Sequence, residues 1–546
     1  MKLLSEIKVK IGYNTSDVLF AIRKKYNLFA DEILKWEIVK ESIDARKKPD
    51  VFMKLNIAVE VKKQALKKVQ KLNDIFPDHS GFDDKKLDFK GESPIIVGFG
   101  PAGMFAGLYL AKKGLKPIIL EQGKNVFDRQ KDVDEFWETR KLNEKSNVQF
   151  GEGGAGTFSD GKLASNVSNE YTKKVINEFV LNGAPEDIFY SHAPHIGSDK
   201  LKEVVVNIRK NIEELGGKVL FSTEFVDYEL KNGAISAVLA KDLQLNEMLK
   251  FETRALILAV GHSATNVYKM LKSKGVELKQ KPFAIGVRIE QNQEMINASQ
   301  YGEENKNLPA SNYKLAVHLE NGRSVFTFCN CPGGVVVASS SDKDTVVTNG
   351  MSYRARDGKN CNSAVLVNVT PDDYDNGDVL DGILFQQKYE KLAFELGGRN
   401  YNAPAEKVKD FLASKESGFD DNMTKVCASY KPSVTFADLS KCLPEFAVLS
   451  LKEALPLLDK KVKGFADDDN LLIGVETRSS APVQIVRDEN LTNGIVGLYS
   501  AGEGAGFAGG ITSSGADGVK IAEKVIDFLT KNWFKKKLKM WCKCWK

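Results

Sequence analysis

The sequence predicts an α/β protein: a doubly wound parallel-sheet domain, interrupted by an antiparallel-sheet domain and preceded by a small α/β domain. Three observations lead there. Residues 94–121 read as strand, glycine turn, helix and strand, one βαβ unit of about 30 residues. Residues from roughly 280 to 470 hold short β-branched runs separated by Gly-bearing turns, the pattern of an antiparallel sheet. A strand, a glycine-rich turn and a helix return at 495–529, as though the first domain resumes after an insertion.

Size and composition permit this. A chain of 546 residues is long enough for roughly three or four domains. With 42% hydrophobic and 28% charged residues, 44 Gly and 16 Pro, it is neither collagen-like nor wholly disordered. Formal charge is +5, but seven of the 78 basic residues are lysines in 531–546, which lacks Asp and Glu; the other 530 residues hold 71 basic against 73 acidic, a balance of −2. A body of that balance gives no electrostatic footprint for nucleic acid, and no such partner is expected. Seven Cys without a C-x-x-C pair, and five His, make neither a disulfide scaffold nor a zinc pattern, so no metal is expected and a reducing cytoplasm fits. The start carries Lys2, Glu6, Lys8 and Lys10 in place of the apolar core of a signal peptide. Residues 94–111 are 18 consecutive uncharged residues, approaching a bilayer span in length. Gly98, Gly100, Gly103, Gly107 and Pro101 would break such a helix, so the run reads as buried core.

In chain order, 1–88 predicts the small domain, with alternating 6–11, a helix over 16–25, strands at 36–43 and 51–61 and a charged helix near 64–73. Polar residues 78–92 read as a linker. The first part of the parallel-sheet domain spans 89–280, with helices at 102–113 and 199–215 and a further strand at 255–260 that ends in Gly261. The antiparallel domain, expected to bind substrate, spans 281–467 and includes a helix near 380–396. The first domain returns over 468–530, and 531–546 is a basic aromatic tail.

Gly98-Phe99-Gly100-Pro101-Ala102-Gly103 is G-x-G-x-x-G in its full context, after an apolar strand and opening a helix, with Glu121 ending the next strand. Gly98 permits the tight turn, Gly100 lets backbone approach a pyrophosphate, and Gly103 allows close helix–strand packing. The phosphates then face the helix N-terminus, at Pro101 and Ala102. Glu121, followed by Gln122, can accept both hydroxyl hydrogens of an unphosphorylated ribose and repels a 2′-phosphate, which suits FAD or NAD over NADP. The glycine-rich stretch 500–510 resembles a second fingerprint, but no parallel strand with an acid follows its helix, so it completes the first domain.

A site built by both ends of the chain around one dinucleotide resembles the FAD domains of the glutathione-reductase type. That resemblance implies FAD. It implies that Ala501-Gly502-Glu503 contacts the ribityl and pyrophosphate part, and that Gly510-Ile511-Thr512 sets helix N–H groups near the flavin ring. Further segments narrow it: Gly151-Glu152-Gly153-Gly154-Ala155-Gly156-Thr157-Phe158-Ser159-Asp160-Gly161-Lys162-Leu163, Pro194-His195-Ile196-Gly197, Lys281-Pro282-Phe283-Ala284-Ile285-Gly286-Val287-Arg288, Cys329-Asn330-Cys331-Pro332-Gly333-Gly334, Glu476-Thr477-Arg478-Ser479-Ser480 and Ser42-Ile43-Asp44-Ala45-Arg46-Lys47-Lys48. Together these resemble the FAD-dependent dehydrogenases often labelled NAD(FAD)-utilising, over nearly the whole chain except the tail. The resemblance adds Arg129 and the loop Gly153, Gly154 and Gly156 as cofactor contacts, with Gly261 beside the nucleotide.

The expected function is an FAD-dependent oxidoreductase moving a hydride or electrons between an organic substrate and FAD, with NAD(P)H able to act only as a transient donor. The alternative is an electron carrier or binding flavoprotein that docks a partner through 1–88. His195 is a candidate proton donor or else a structural loop histidine. Arg288, Arg354 and Arg478 are candidate clamps for a substrate carboxylate or else interdomain ion pairs. Cys329 and Cys331 invite a dithiol relay, but two-residue spacing along a strand strains a disulfide, so free thiols shaping a turn are expected. In the tail, Phe534, Leu538, Trp541 and Trp545 among lysines form a basic amphipathic pattern, for a membrane surface or for docking on its own protein.

Overall fold

The computed structural model describes residues 2–48, 50–62, 65, 76–165, 169–302, 308–415 and 426–544, with side chains from residue 531 onward, and those of 2 and 3, outside the description. The predicted charged helix near 64–73 falls almost wholly outside the described residues, and so do the side chains of the tail. Among the described residues, no helix is long and apolar enough to cross a membrane.

The N-terminal strands Lys2–Val9, Asp50–Val61 and Ile33–Lys47 form an antiparallel sheet in that spatial order. Their alternate residues Ile7, Val9, Leu55, Ile57 and Val59 pack on Val18 and Ile22 of helix Thr15–Tyr26, whose N-terminus Asn14 caps by accepting from Ser16 and Asp17 N–H. Strand Ile33–Lys47 joins the rest of the molecule where Glu41 N–H donates to Tyr190 O (2.7 Å) and His192 N–H to Glu41 O (2.8 Å). The expected linker is not free chain: Phe82 is buried edge-on against Phe105.

The centre is a five-stranded parallel sheet ordered Leu498–Ser500, Leu256–Leu258, Ile95–Val97, Ile118–Leu120 and Lys218–Leu220. Each of the first three is buried along its whole length, which is why it reads as a continuous apolar run. Ile96, Ile119, Ile257 and Tyr499 point to a layer of helices, Pro101–Lys112, Ser198–Glu214 and Ile511–Cys544 among them. Helix Pro101–Lys112 is apolar nearly all round because other helices enclose it. Doubly wound is a correction: Ile95, Val97, Leu120, Leu256, Leu258 and Leu498 face Phe225, Tyr228, Ile235 and Val238 of an antiparallel sheet, Thr223–Lys231, Ala234–Asp242 and Glu247–Glu252. That apolar face needs covering, and β-strands do so beside one short helix, Thr265–Ser273, which adds Tyr268 and Leu271.

The inserted sheet has seven strands in the order Ala316–His318, Ser324–Cys331, Asn360–Val369, Phe283–Asn292, Leu471–Glu476, Ala403–Lys407 and Val434–Phe436. Pairing is antiparallel except between the last two. Helices Asp381–Leu396 and Glu445–Asp459 cover it with Tyr389, Ala393, Leu451, Leu455 and Leu458. Strand Leu471–Glu476, expected in the returning first domain, pairs instead with Phe283–Asn292 of this sheet. The final helix, expected to end near 529, runs from Ile511 to Cys544.

Candidate functional site

The fingerprint glycines are held by backbone contacts. Gly98 has φ +96, and a Cβ there would lie 2.4 Å from Ala259 O; a Cβ on Gly103 would lie 2.0 Å from Gly98 O. Turn and helix therefore touch as only glycine allows. Gly100, by contrast, has no protein atom closer than 3.7 Å to such a Cβ. Helix Pro101–Lys112 starts here, so its first N–H groups and positive dipole end face the turn.

Glu121 lies buried at the end of strand Ile118–Leu120, accepting from Phe99 N–H (2.8 Å) with one oxygen and from Gly123 N–H (2.9 Å) with the other. A carboxylate offers about four acceptor sites, so both ribose hydroxyls can still be taken. Gln122 is half-buried beside it.

Three further segments close around this turn. Gly153 N–H donates to Phe99 O (2.8 Å), and a Cβ on Gly154 would come 2.9 Å from Gly100 Cα. A Cβ on Gly502, φ +75, would meet the Ala102 Cβ at 2.7 Å, and Gly502 N–H donates to Asp517 (2.7 Å). A Cβ on Gly504 would strike Gly261 O at 2.5 Å, while Gly261 itself, φ +70, faces open space. Helix Ile511–Cys544 begins against this loop: Ile511 lies 3.4 Å from a Cβ on Gly156, and the Thr512 hydroxyl donates to Leu163 O (2.9 Å). Gly510, just before it, is exposed. Chain near 100, 155, 261 and 505 thus forms one cradle of glycine backbone.

One expected cofactor contact is corrected. Arg129 is fully buried and donates to Asn147 O, Val148 O, Glu152 O, Gly154 O and Thr157 Oγ1 at 2.7–2.9 Å. Burial pulls its pKa down to about 10 against the pull of Glu121 and Glu152. It shapes the glycine loop from beneath and is shielded from any ligand. Glu503 pairs with His262 Nδ1 and accepts from Ala481 N–H (2.8 Å), so its carboxylate pins the turn and, like that of Glu121, keeps acceptor sites for a ligand.

The candidate clamps are also occupied. Arg288, fully buried, forms a bidentate pair with Glu476 (2.7 and 3.1 Å) and donates to Asn362 Oδ1 (2.7 Å). Arg478 forms a second fork on Glu390 (2.9 and 2.8 Å) and pairs with Asp342. Arg354 pairs with Asp187 and donates to His195 O. No guanidinium edge is left for a substrate carboxylate on Arg288 or Arg478, and the ion-pair alternative is the observed one. Cys329 and Cys331 are free thiols, as are Cys361, Cys427 and Cys442. Among the described residues no cluster of His, Cys, Asp or Glu could hold a metal ion.

A Clostridium beijerinckii protein, described as uncharacterized, is 43% identical over 519 residues, 93% of this chain and 95% of that one. The chain belongs to that protein's family. Within it, residues 282–479 match the family model described as FAD-dependent protein, C-terminal domain-like, and residues 1–60 match a domain of unknown function. Among solved structures, similarity extends to a glycerol-3-phosphate dehydrogenase from Bacillus halodurans complexed with FAD, 12% identical over 81% of this chain and 65% of that one, TM-score 0.36. A flavoprotein/dehydrogenase from Cytophaga hutchinsonii is 11% identical over 81% and 79%, also with TM-score 0.36.

Two residues that build this family member's site have no role legible in the sequence. Asp517, which holds Gly502 N–H and the Arg487 fork, and Glu152, which accepts from Val126 N–H and Arg209, are ordinary acids in helical or loop context. His195, bridged through its backbone to Lys162, has its Nε2 3.2 Å from Arg354 O. Burial first, then the Arg356 and Arg354 cations, pull its pKa down to about 4 against Asp160. The folded value lies below the ordinary one, so its contribution to stability is complete above about pH 6.5 and is lost as pH falls toward the folded value. Urea unfolding should therefore show wild type losing roughly 1–2 kcal/mol more than His195→Gln between about pH 7.5 and pH 5; parallel pH profiles would refute this.

Proposed function

We propose that this protein is an FAD-dependent oxidoreductase, moving a hydride or electrons between a small organic substrate and FAD held in the glycine cradle. The observation that carries this is the meeting of chain near 100 and chain near 505 around backbone too tight for any side chain, with a buried carboxylate at the adjacent strand end. The residues fit the cofactor. Gly98, Gly100, Gly103 and Ala102 offer backbone and a helix N-terminus to the pyrophosphate. Glu121 accepts from ribose hydroxyls. Gly153, Gly154, Gly156, Gly261, Gly502, Gly510, Ile511 and Thr512 surround the rest.

Bound FAD supplies a ring that accepts and returns a hydride or electrons. The chain's own groups bind and orient. Arg129 fixes the loop 147–157, Asp517 fixes Gly502, and the helix starting at Ile511 presents its positive dipole end beside Gly156. The inserted sheet is the proposed substrate side. NAD(P)H, if it is the donor, binds transiently over the flavin, since the described residues hold one parallel sheet and one fingerprint. A reducing cytoplasm belongs to the reading, with Cys329, Cys331, Cys361, Cys427 and Cys442 all free thiols.

Anaerobic stopped-flow mixing with NADH, NADPH and a panel of carboxylates tests it. The purified protein should be yellow or take up added FAD, and at least one donor should bleach it quickly. Colourless protein that takes up no flavin overturns the cofactor; a flavin that no donor reduces favours the electron-carrier alternative.

A further inference from the structure

The Cys329–Cys331 pair lies outside the cradle. Strand Ser324–Cys331 pairs Phe328 with Ala364 and Cys331 with Asn362 of strand Asn360–Val369, so Cys329 and Asn330 together face one residue. That is a β-bulge, which bends the strand and re-aims its side chains. Cys329 takes φ +43, in the left-handed region uncommon for a residue with a side chain. The result is a sulfur–sulfur separation of 3.9 Å. A regular strand would hold residues two apart farther away, so the bulge removes the geometric objection that C-x-C spacing raises.

The surroundings distinguish the two sulfurs. Cys331 is fully buried, its thiol 3.3 Å from Cys329 O, while Cys329 is partly exposed. Arg288 donates to Cys329 O (3.1 Å) with its Nη1 4.0 Å from Cys331 Sγ. Lys162 Nζ, from the loop that continues the cradle, is buried with no hydrogen-bond acceptor among the described residues; Asp160, 3.6 Å away, is engaged by Arg356. The Cys331 hydrogen bond and the Lys162 and Arg288 cations hold Cys329 below the usual thiol range against burial, and burial holds Cys331 above it. One thiolate on a partly exposed residue beside one protonated, fully buried thiol is the arrangement of an attacking and a resolving cysteine.

We propose that Cys329 and Cys331 are a redox-active dithiol that reduces a low-molecular-weight disulfide. The Cys329 thiolate attacks one sulfur of the disulfide; a Cys329–sulfur bond forms, the disulfide bond breaks, and one thiolate leaves. The Cys331 proton passes to that thiolate. Cys331 then attacks Cys329 Sγ, closing the Cys329–Cys331 bond and expelling the second thiolate. Two electrons go from the cysteine pair to the disulfide. The exchange closes on sulfur alone, so it goes beyond the flavin reading and does not depend on it.

Glutathione disulfide is the probe. Full-length protein, incubated with it near neutral pH, alkylated and mapped by mass spectrometry, should show the 329–331 peptide lighter by two hydrogens and closed to iodoacetamide. Cys331→Ser should stop at a glutathionyl adduct on Cys329, and Cys329→Ser should give neither product. In the untreated protein, alkylation of Cys329 should reach half its plateau at lower pH than exposed Cys427. Lys162→Gln should raise that midpoint by about one pH unit. Wild-type protein whose two cysteines both remain alkylatable, or that stops at a mixed disulfide, overturns the proposal, and does so whether or not flavin is bound.

Discussion

Arg288→Met is expected to cost about 3–5 kcal/mol, the penalty for leaving one member of a buried ion pair without its partner. Glu476 sits at 4% exposure opposite Arg288 at 0%, so removing the guanidinium strands a carboxylate that water cannot reach. The pair Arg288→Met with Glu476→Gln should recover at least half of the loss, because no charge is then buried alone. Chemical denaturation of the wild type and the two variants measures this. The result also separates structure from binding: a substrate clamp would raise KM in folded protein and leave the unfolding midpoint nearly unchanged. A single variant within about 1 kcal/mol of wild type would return Arg288 to the list of substrate-binding candidates.

Gly103→Ala and Gly100→Ala are expected to fail in different ways. On Gly103 the added carbon lands 2.0 Å from Gly98 O, a backbone atom with no freedom to rotate away, and the turn must open at about 3 kcal/mol. On Gly100 the nearest protein atom is 3.7 Å away and φ is −76, so the fold should hold to within about 1 kcal/mol. The Gly100 carbon would occupy space the fingerprint reserves for the pyrophosphate, and FAD affinity should fall at least roughly tenfold, about 1.4 kcal/mol. Thermal unfolding together with FAD titration separates the two variants. Folded Gly100→Ala protein that holds FAD like wild type would mean that the cofactor does not lie on this turn.

The cradle was legible because its requirements are local. Gly98, Gly103 and Glu121 fall within one strand–turn–helix–strand unit, where chain geometry fixes what each residue can do. The arginines were not legible in the same way. Arg288 meets Glu476 across 188 residues and Arg478 meets Glu390 across 88, and an isolated Arg in a sequence is equally suited to a substrate or to an acid of its own chain. Arg129 was placed in the right neighbourhood for a different job, because contact with the loop carbonyls depends on how 147–157 folds over it. The bulge at Cys329 was invisible because its register is set by strand Asn360–Val369.

By itself the sequence determined where the backbone must turn tightly, which segments are buried on both faces, and that the two ends of the chain share one domain. These follow from sterics and solvation acting within a few residues. Only the tertiary structure decided which charges are already spent on one another, what covers the second face of the parallel sheet, and how near two thiols come. Those depend on distances between segments far apart in the chain, and electrostatic pairing and packing have no local signature until the chain has folded.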